Sequence, residues 1–423
     1  MTEFDKIQKF CELIRNIDSK ENLVTGIERI FKDADFKETD FENLHPLLIQ
    51  VWSYFKENRL TPRLIFAGKT GVGKSSVINA LLKDNYCEVG VTPQTRDQAE
   101  YLWTEEDENF VIVDAPGFSE AEKEDEEYDE KIQALARSKG HILVLVFKAD
   151  DRALKDEADF LRRWNHANEN QIPVFIIINQ IEKVSPNRDW NPAELNLKAL
   201  ENERSEKEKN IIKYLDYVSS VEDFKNLKLV PFNAGEHALD VDSQYGVSDL
   251  VQTIHRYLPE GAKADFLRRI SKEEKARKKH RQLLNDEGSK IIKKYSGFAF
   301  TAAVGNISPV PNAFILTPLQ IMMVVELGRL YNQEMSAALA KGIVAAAAAT
   351  VVGRAVVAGI VGIIPILKQV VGAPMAASLT YIIGHTALKL LDEGTLNLSA
   401  EEIEDIAKEF SSDAQEFSRS LEK

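Results

Sequence analysis

The chain has 423 residues, with 53 Lys plus Arg against 67 Asp plus Glu and a formal net charge of -14. At 44% hydrophobic and 28% charged it is neither a disordered chain nor a polytopic membrane protein, and at roughly 150 residues per domain it holds two or three domains. The negative balance argues against DNA and general RNA binding, and two cysteines, Cys11 and Cys87, without CxxC or Cys/His spacing, argue against a disulfide framework or a zinc site.

Met1 to Phe10 is charged and amphipathic with no apolar signal core, so the expected location is cytoplasmic. Residues 1–60 show apolar positions at helical spacing (Phe10, Ile14, Ile27, Ile30, Phe31, Leu47, Leu48, Val51) and predict a helical leader. Over 61–260, short β-branched runs alternate with helix-patterned segments, which predicts βαβ units and an α/β domain with a mostly parallel sheet. The strand candidates are Leu64–Ala67, Gln98–Trp103, Phe110–Asp114, Ile142–Phe147, Val174–Asn179 and Leu229–Asn233. Residues 261–296 read as a basic helical linker, because Lys263–Arg281 carries nine Lys or Arg against three Asp or Glu. Residues 297–398 shift to Ala, Val, Ile and Gly and predict an all-helical apolar domain, and 399–423 form an amphipathic tail. Gly342–Leu367 is long enough to cross a bilayer, but it is rich in Ala and Gly and carries Arg354 near its centre. Three readings stay open for this region: a soluble helical domain, peripheral docking on an anionic membrane surface through the basic stretch, and insertion.

The chemistry concentrates in a few strings. Gly68-Lys69-Thr70-Gly71-Val72-Gly73-Lys74-Ser75, followed by Ser76, is a complete GxxxxGKS match between a strand and a helix. Glycines let backbone amides converge on a phosphate, Lys74 reaches the β and γ oxygens, and the Ser75 hydroxyl ligates Mg2+. Asp114-Ala-Pro-Gly117 ends an apolar strand, where Asp114 is placed to hold magnesium through water and the Gly117 amide to sense the γ-phosphate. Between them, Thr95 is chosen over Thr92 as the threonine closing on the metal, with a plain turn residue as the alternative for either. Asn179-Gln180-Ile181-Glu182 stands where guanine-binding GTPases carry Asn-Lys-x-Asp. A carboxylate there accepts two hydrogen bonds from guanine N1 and N2, a pattern adenine lacks. Glu182 keeps that charge on a longer side chain. Asn233-Ala234-Gly235 after the last strand is either a base loop offering the Ala234 amide or an ordinary turn.

Together these strings resemble the Era-like branch of translation-factor-related small GTPases. Lys148-Ala149-Asp150-Asp151-Arg152-Ala153-Leu154, with Lys183 and Pro186, is similar to a bacterial subgroup of GTP-binding proteins. The resemblance implies a P-loop fold, GTP and GDP as ligands, magnesium, and GTP hydrolysis, with Lys74, Thr95 and Gly117 serving catalysis. Where Ras-like enzymes have a water-orienting glutamine this chain has Phe118, and Gly71 stands at the place of the potassium-binding asparagine of some relatives. By resemblance, that combination implies activation by pairing into a homodimer across the nucleotide face. The competing expectation is a nucleotide-dependent interaction module with little turnover. Pro309-Val-Pro311, Thr317-Pro-Leu-Gln320, Leu330-Tyr331 and Ser378–Gly384 are similar to a helical domain of unknown function in some bacterial inner-membrane proteins. Era-like proteins with RNA-binding KH modules clamp RNA with a GxxG loop. Beyond the GTPase region that spacing occurs only at Gly359–Gly362, inside an apolar run, which argues against an RNA partner.

Overall fold

The computed structural model describes residues 63–83, 99–105, 108–115, 141–169, 171–187, 190–235, 242–272, 274–304, 313–333, 335–352 and 372–422. The helical leader, Thr92, Thr95, Gly117, Phe118, Arg354 and Gly359–Gly362 lie outside them. The chain divides into two compact units, one spanning Leu60–Lys263 and one that takes in the described residues from Ala264 onward.

The first unit is built on a six-stranded sheet. Its strands are β1 (Arg63–Ala67), β2 (Ala99–Glu105), β3 (Glu108–Asp114), β4 (His141–Lys148), β5 (Val174–Asn179) and β6 (Lys228–Pro231), in the order β2-β3-β1-β4-β5-β6. β1 pairs in parallel with β3 and β4, β4 with β5, and β5 with β6. The runs LIFA, ILVLVF and VFIII are apolar without alternation because helices cover both faces of a parallel sheet. Leu64 to Ala67, Ile142 to Phe147 and Phe175 to Ile178 accordingly have no exposed surface. β2 is the exception to the parallel pattern: it runs antiparallel to β3, with Glu105 opposite Glu108. A gap that short admits a hairpin and no crossover.

Four helices follow the strands: α1 (Lys74–Leu82), α2 (Lys155–Asn168), α3 (Glu206–Ser220) and α4 (Val247–Tyr257). Chain order reverses at β1, whose neighbours are β3 on one side and β4 on the other. In open α/β sheets that reversal opens a crevice at the carboxyl ends of the strands, where ligands bind.

The second unit is helical. α5 (Glu260–Ile270) crosses into it, followed by α6 (Glu274–Lys279), α7 (Arg281–Val304), α8 (Ala313–Leu330), α9 (Ala337–Val352), α10 (Ala373–Glu393), α11 (Ala400–Glu409) and α12 (Ser411–Ser420). The compositional boundary expected at 296/297 falls inside α7 and is not a structural one, since Ile291, Ile292, Tyr295 and Ala299 form one buried face across it. The basic stretch also departs from a solvated linker. Lys263, Arg268 and Arg269 are buried, because Phe266, Leu267 and Ile270 on the same helix are core residues and draw their neighbours in with them.

α7 and α10 approach closely at two glycines. A Cβ on Gly384 would stand 2.6 Å from Ile292 Cγ1, and one on Gly288 2.6 Å from Leu388 Cδ1. Motif residues of 317–320 and 378–384 tie α10 to α8 and α12 as well. Gln320 Nε2 donates to Thr380 Oγ1 at 3.1 Å in the core, and Ser378 Oγ donates to the Ala414 carbonyl. Among the described residues no helix is long and apolar enough to cross a membrane.

Candidate functional site

The loop 68–73 leaves β1 and enters α1 at the sheet's order reversal. Gly68 must be glycine because a Cβ there would lie 2.3 Å from the Val146 carbonyl oxygen of β4. Gly73 has φ +89, and a Cβ on it would lie 2.4 Å from Asn179 Nδ2. The loop thus passes close to the backbone of β4 and against the Asn179 side chain of β5, and delivers the first turn of α1, whose amides have no acceptor within the helix. Lys74 is buried, its Nζ donating to the carbonyls of Gly68 at 3.3 Å and Lys69 at 3.5 Å. Val72 is buried, and Thr70 and Gly71 are exposed. The Lys69 side chain, counted with the loop from sequence, turns away from it: its Nζ pairs with Asp151 at 3.1 Å and with the buried Glu157 of α2 at 3.0 Å. This pair brings the 148–154 string against the phosphate loop. Tyr214 of α3 braces the same string by donating to the carbonyls of Lys148 and Asp151.

Asp114 ends β3 with no exposed surface. Its Oδ2 accepts from the Ser75 hydroxyl at 2.6 Å, while its buried Oδ1 has no hydrogen-bond partner. Burial pushes its carboxyl above the usual range, against the pull of the Ser75 hydroxyl and the Lys74 ammonium. A buried carboxylate oxygen without a donor, beside a serine hydroxyl, suits a hard divalent cation. Among the described residues no cluster of three or more His, Cys, Asp or Glu could hold a metal by itself. Magnesium takes one or two protein oxygens and completes its shell with phosphate and water.

The base side is assembled at the ends of β5 and β6. Asn179 is buried, and its Nδ2 donates to the Val72 carbonyl at 2.9 Å, tying this strand end to the phosphate loop. Its Oδ1 is buried without a partner. Gln180, in the left-handed region at φ 63, places Nε2 3.4 Å from the Gly71 carbonyl and accepts from Lys183 Nζ at 2.8 Å. The positive charge that the family motif carries at position 180 is thus held three residues on, by Lys183. Glu182 lies in a single 3-10 turn, Ile181–Lys183, with a buried Oε2 that has no partner. Burial raises its carboxyl, opposed by the fields of Lys183 and Lys207.

The 232–235 loop lies alongside, since the Ile181 amide donates to the Phe232 carbonyl at 3.3 Å and the Phe232 amide to Ile178. Asn233 Oδ1 accepts from the Gly235 amide, and Ala234 is buried next to it. Structure therefore brings together Gly68 to Ser76, Asp114, Asn179, Gln180, Glu182, Asn233 and Ala234 at the carboxyl ends of the parallel strands. Lys207 went unnoticed in the sequence. Its one legible signal is Ser205-Glu-Lys-Glu208, a capping-box spacing.

The family described as 50S ribosome-binding GTPase matches residues 63–180, the stretch from β1 through Gln180. Residues 63–180 form an Era-like P-loop GTPase domain. The GTPase domain is 25% identical over 197 residues to GTPase Era of Lactobacillus delbrueckii subsp. bulgaricus, covering 46% of this chain and 53% of that one. It is 30% identical over 136 residues to the probable GTP-binding protein EngB of Lactobacillus helveticus, covering 31% of this chain and 66% of that one. The chain spans about half the length of the Era relatives it matches. Among solved structures, an Era variant of Aquifex aeolicus bound to GDP and aluminium fluoride aligns at 20% identity and a TM-score of 0.33, over 47% of this chain and 56% of that one. Toc33 of Arabidopsis thaliana with Mg2+ and GMPPNP aligns at 17% identity and a TM-score of 0.33, over 52% and 92%.

Proposed function

We propose that the chain is a GTP hydrolase that works as a molecular switch, binding GTP and GDP with magnesium and converting the one to the other with release of phosphate. The observation that carries this is the set of buried, unpartnered oxygens flanking the phosphate loop: Asp114 Oδ1 on the metal side, and Asn179 Oδ1 and Glu182 Oε2 on the base side. Unsatisfied buried acceptors are costly, and a magnesium–guanine nucleotide would satisfy all of them at once. The loop amides and Lys74 bind the phosphates and stabilise charge on the β and γ oxygens. Ser75 and Asp114 would hold the metal with Thr95, and the Gly117 amide would report the γ-phosphate. Magnesium, when bound, would neutralise charge on the β- and γ-phosphates. Glu182, ionised, accepts both guanine hydrogens, and Gln180 covers the base from the loop side.

With Phe118 following Gly117, no side chain at that place can orient the attacking water. Self-association across the nucleotide face supplies what is missing, in a protein that is cytoplasmic or peripheral to an anionic membrane. Lys74→Ala should abolish triphosphate binding by calorimetry, and specific phosphate-release activity should rise with protein concentration. Unaltered affinity in Lys74→Ala overturns the nucleotide assignment. Tight GTP binding with no phosphate release at any concentration, with or without anionic liposomes, selects the interaction module instead.

A further inference from the structure

Lys207 lies at the second position of α3 with 4% of its surface exposed. Lysines are seldom that buried. Its Nζ meets three carbonyl oxygens of one irregular segment: Glu182 at 2.8 Å, Val184 at 2.8 Å and Pro186 at 3.1 Å. The ammonium also stands 5.6 Å from the centroid of the Trp190 ring. Three tetrahedral donors converging on three carbonyls define the path of the chain from Glu182 to Pro186, which no regular ladder otherwise holds. The first turn of α3 is itself fixed in place. Ser205 and Glu208 form a reciprocal capping box, and Glu208 Oε1 reaches the Asn196 amide as well.

The same cluster connects the two base loops. Trp190 Nε1 donates to the Ser243 carbonyl at 3.3 Å, and Asn233 Nδ2 donates to that same oxygen at 3.1 Å. A chain of contacts therefore runs from the Glu182 segment through Lys207 and Trp190 to Ser243 and Asn233. Lys207 places a positive charge next to a half-buried carboxylate that has no direct cationic partner of its own among the described residues.

We infer that Lys207 is the positioning residue for base recognition, holding the Glu182–Pro186 segment by its carbonyls so that the Glu182 carboxylate is presented, ionised and in register with Asn233–Ala234, to the guanine edge. The proposal rests on the guanine reading above. It adds that selectivity depends on a residue outside the motif that makes no contact with the ligand.

The test is Lys207→Met in the full chain, with Lys207→Arg beside it, using competition of GTP and ATP against a fluorescent GDP analogue. Lys207→Met should weaken GTP by about tenfold or more while ATP, held by its phosphates alone, changes by less than about twofold. Lys207→Arg keeps the charge but has a planar fork in place of three tetrahedral donors, so it should lose part of the GTP preference with ATP again unmoved. Should the Met variant fail to fold, the Arg variant decides. An unchanged GTP-to-ATP ratio, or equal weakening of both nucleotides, overturns the proposal and leaves Lys207 a purely structural residue. A wild-type chain that binds ATP as tightly as GTP overturns the guanine reading itself.

Discussion

Asn179 ties the end of β5 to the phosphate loop, and a double-mutant cycle measures how strongly. Gly73→Ala forces an alanine to φ +89 and drives its Cβ to 2.4 Å from Asn179 Nδ2. The left-handed backbone costs about 1–2 kcal/mol. The collision displaces the Asn179 amide, which donates to the Val72 carbonyl at 2.9 Å, and leaving that buried acceptor unmet costs about 1–3 kcal/mol. The single substitution therefore destabilises this unit by about 2–5 kcal/mol, and Asn179→Ala alone by about 1–3 kcal/mol. In the double variant the space is already empty and the bond already lost, so only the backbone term is new. The two costs should fall short of additivity by about 1–3 kcal/mol. Native-state hydrogen exchange at the amides of β1 and β5 reports the opening free energy of this unit without depending on the helical one. Additive costs would mean that Asn179 and Gly73 do not share this contact, and would remove the physical link between phosphate and base recognition.

Asp114→Asn should stabilise the nucleotide-free protein while weakening magnesium-dependent nucleotide binding. Asp114 is raised by burial, so its stability contribution is present below its unfolded pKa and is lost as pH rises through the higher folded value; the asparagine variant should show a flatter midpoint against pH in calorimetry. A lower midpoint at neutral pH for the variant would count against an uncompensated buried charge. Glu182 is likewise raised by burial and must be ionised to accept both guanine hydrogens, so the GTP-over-ATP preference should fade as pH drops while still above the ordinary carboxylate range, and Glu182→Gln should remove it at every pH. A ratio that is constant down to that range would refute the role. In the helical unit, Gly384→Ala pushes a methyl against Ile292 Cγ1 and Cγ2 at 2.6 and 2.8 Å and should cost about 1–3 kcal/mol, and less in an Ile292→Ala background that lacks both γ carbons; thermal unfolding of the two variants and their combination checks it.

Much of the site is local in sequence. The loop from Gly68 to Ser75 carries its own glycines, lysine and serine in register, and Asp114 and Asn179 close strands whose unbroken apolar runs mark them as buried on both faces. Strands β1, β4 and β5 are legible for the same reason: the interior of a parallel sheet covered by helices leaves few polar positions to blur the pattern. The remainder depends on long-range proximity. β2 became an antiparallel edge because the gap to β3 admits only a hairpin. Lys69 left the phosphate loop because the buried Glu157 and the partly exposed Asp151, more than eighty residues away, offered two carboxylates. The boundary drawn by composition near 296 vanished inside α7, since packing follows the buried stripe of a helix and not its mean charge. The role of Lys207 has no counterpart in the local pattern beyond a capping-box spacing: its neighbours along the chain are charged, and its meaning comes from three carbonyls more than twenty residues upstream that folding gathers around one ammonium. Sequence determines which chemistry the chain can carry wherever the needed groups lie within one loop or strand end. Where the partners are backbone atoms of distant segments, no side-chain pattern records them, and only the fold supplies the answer.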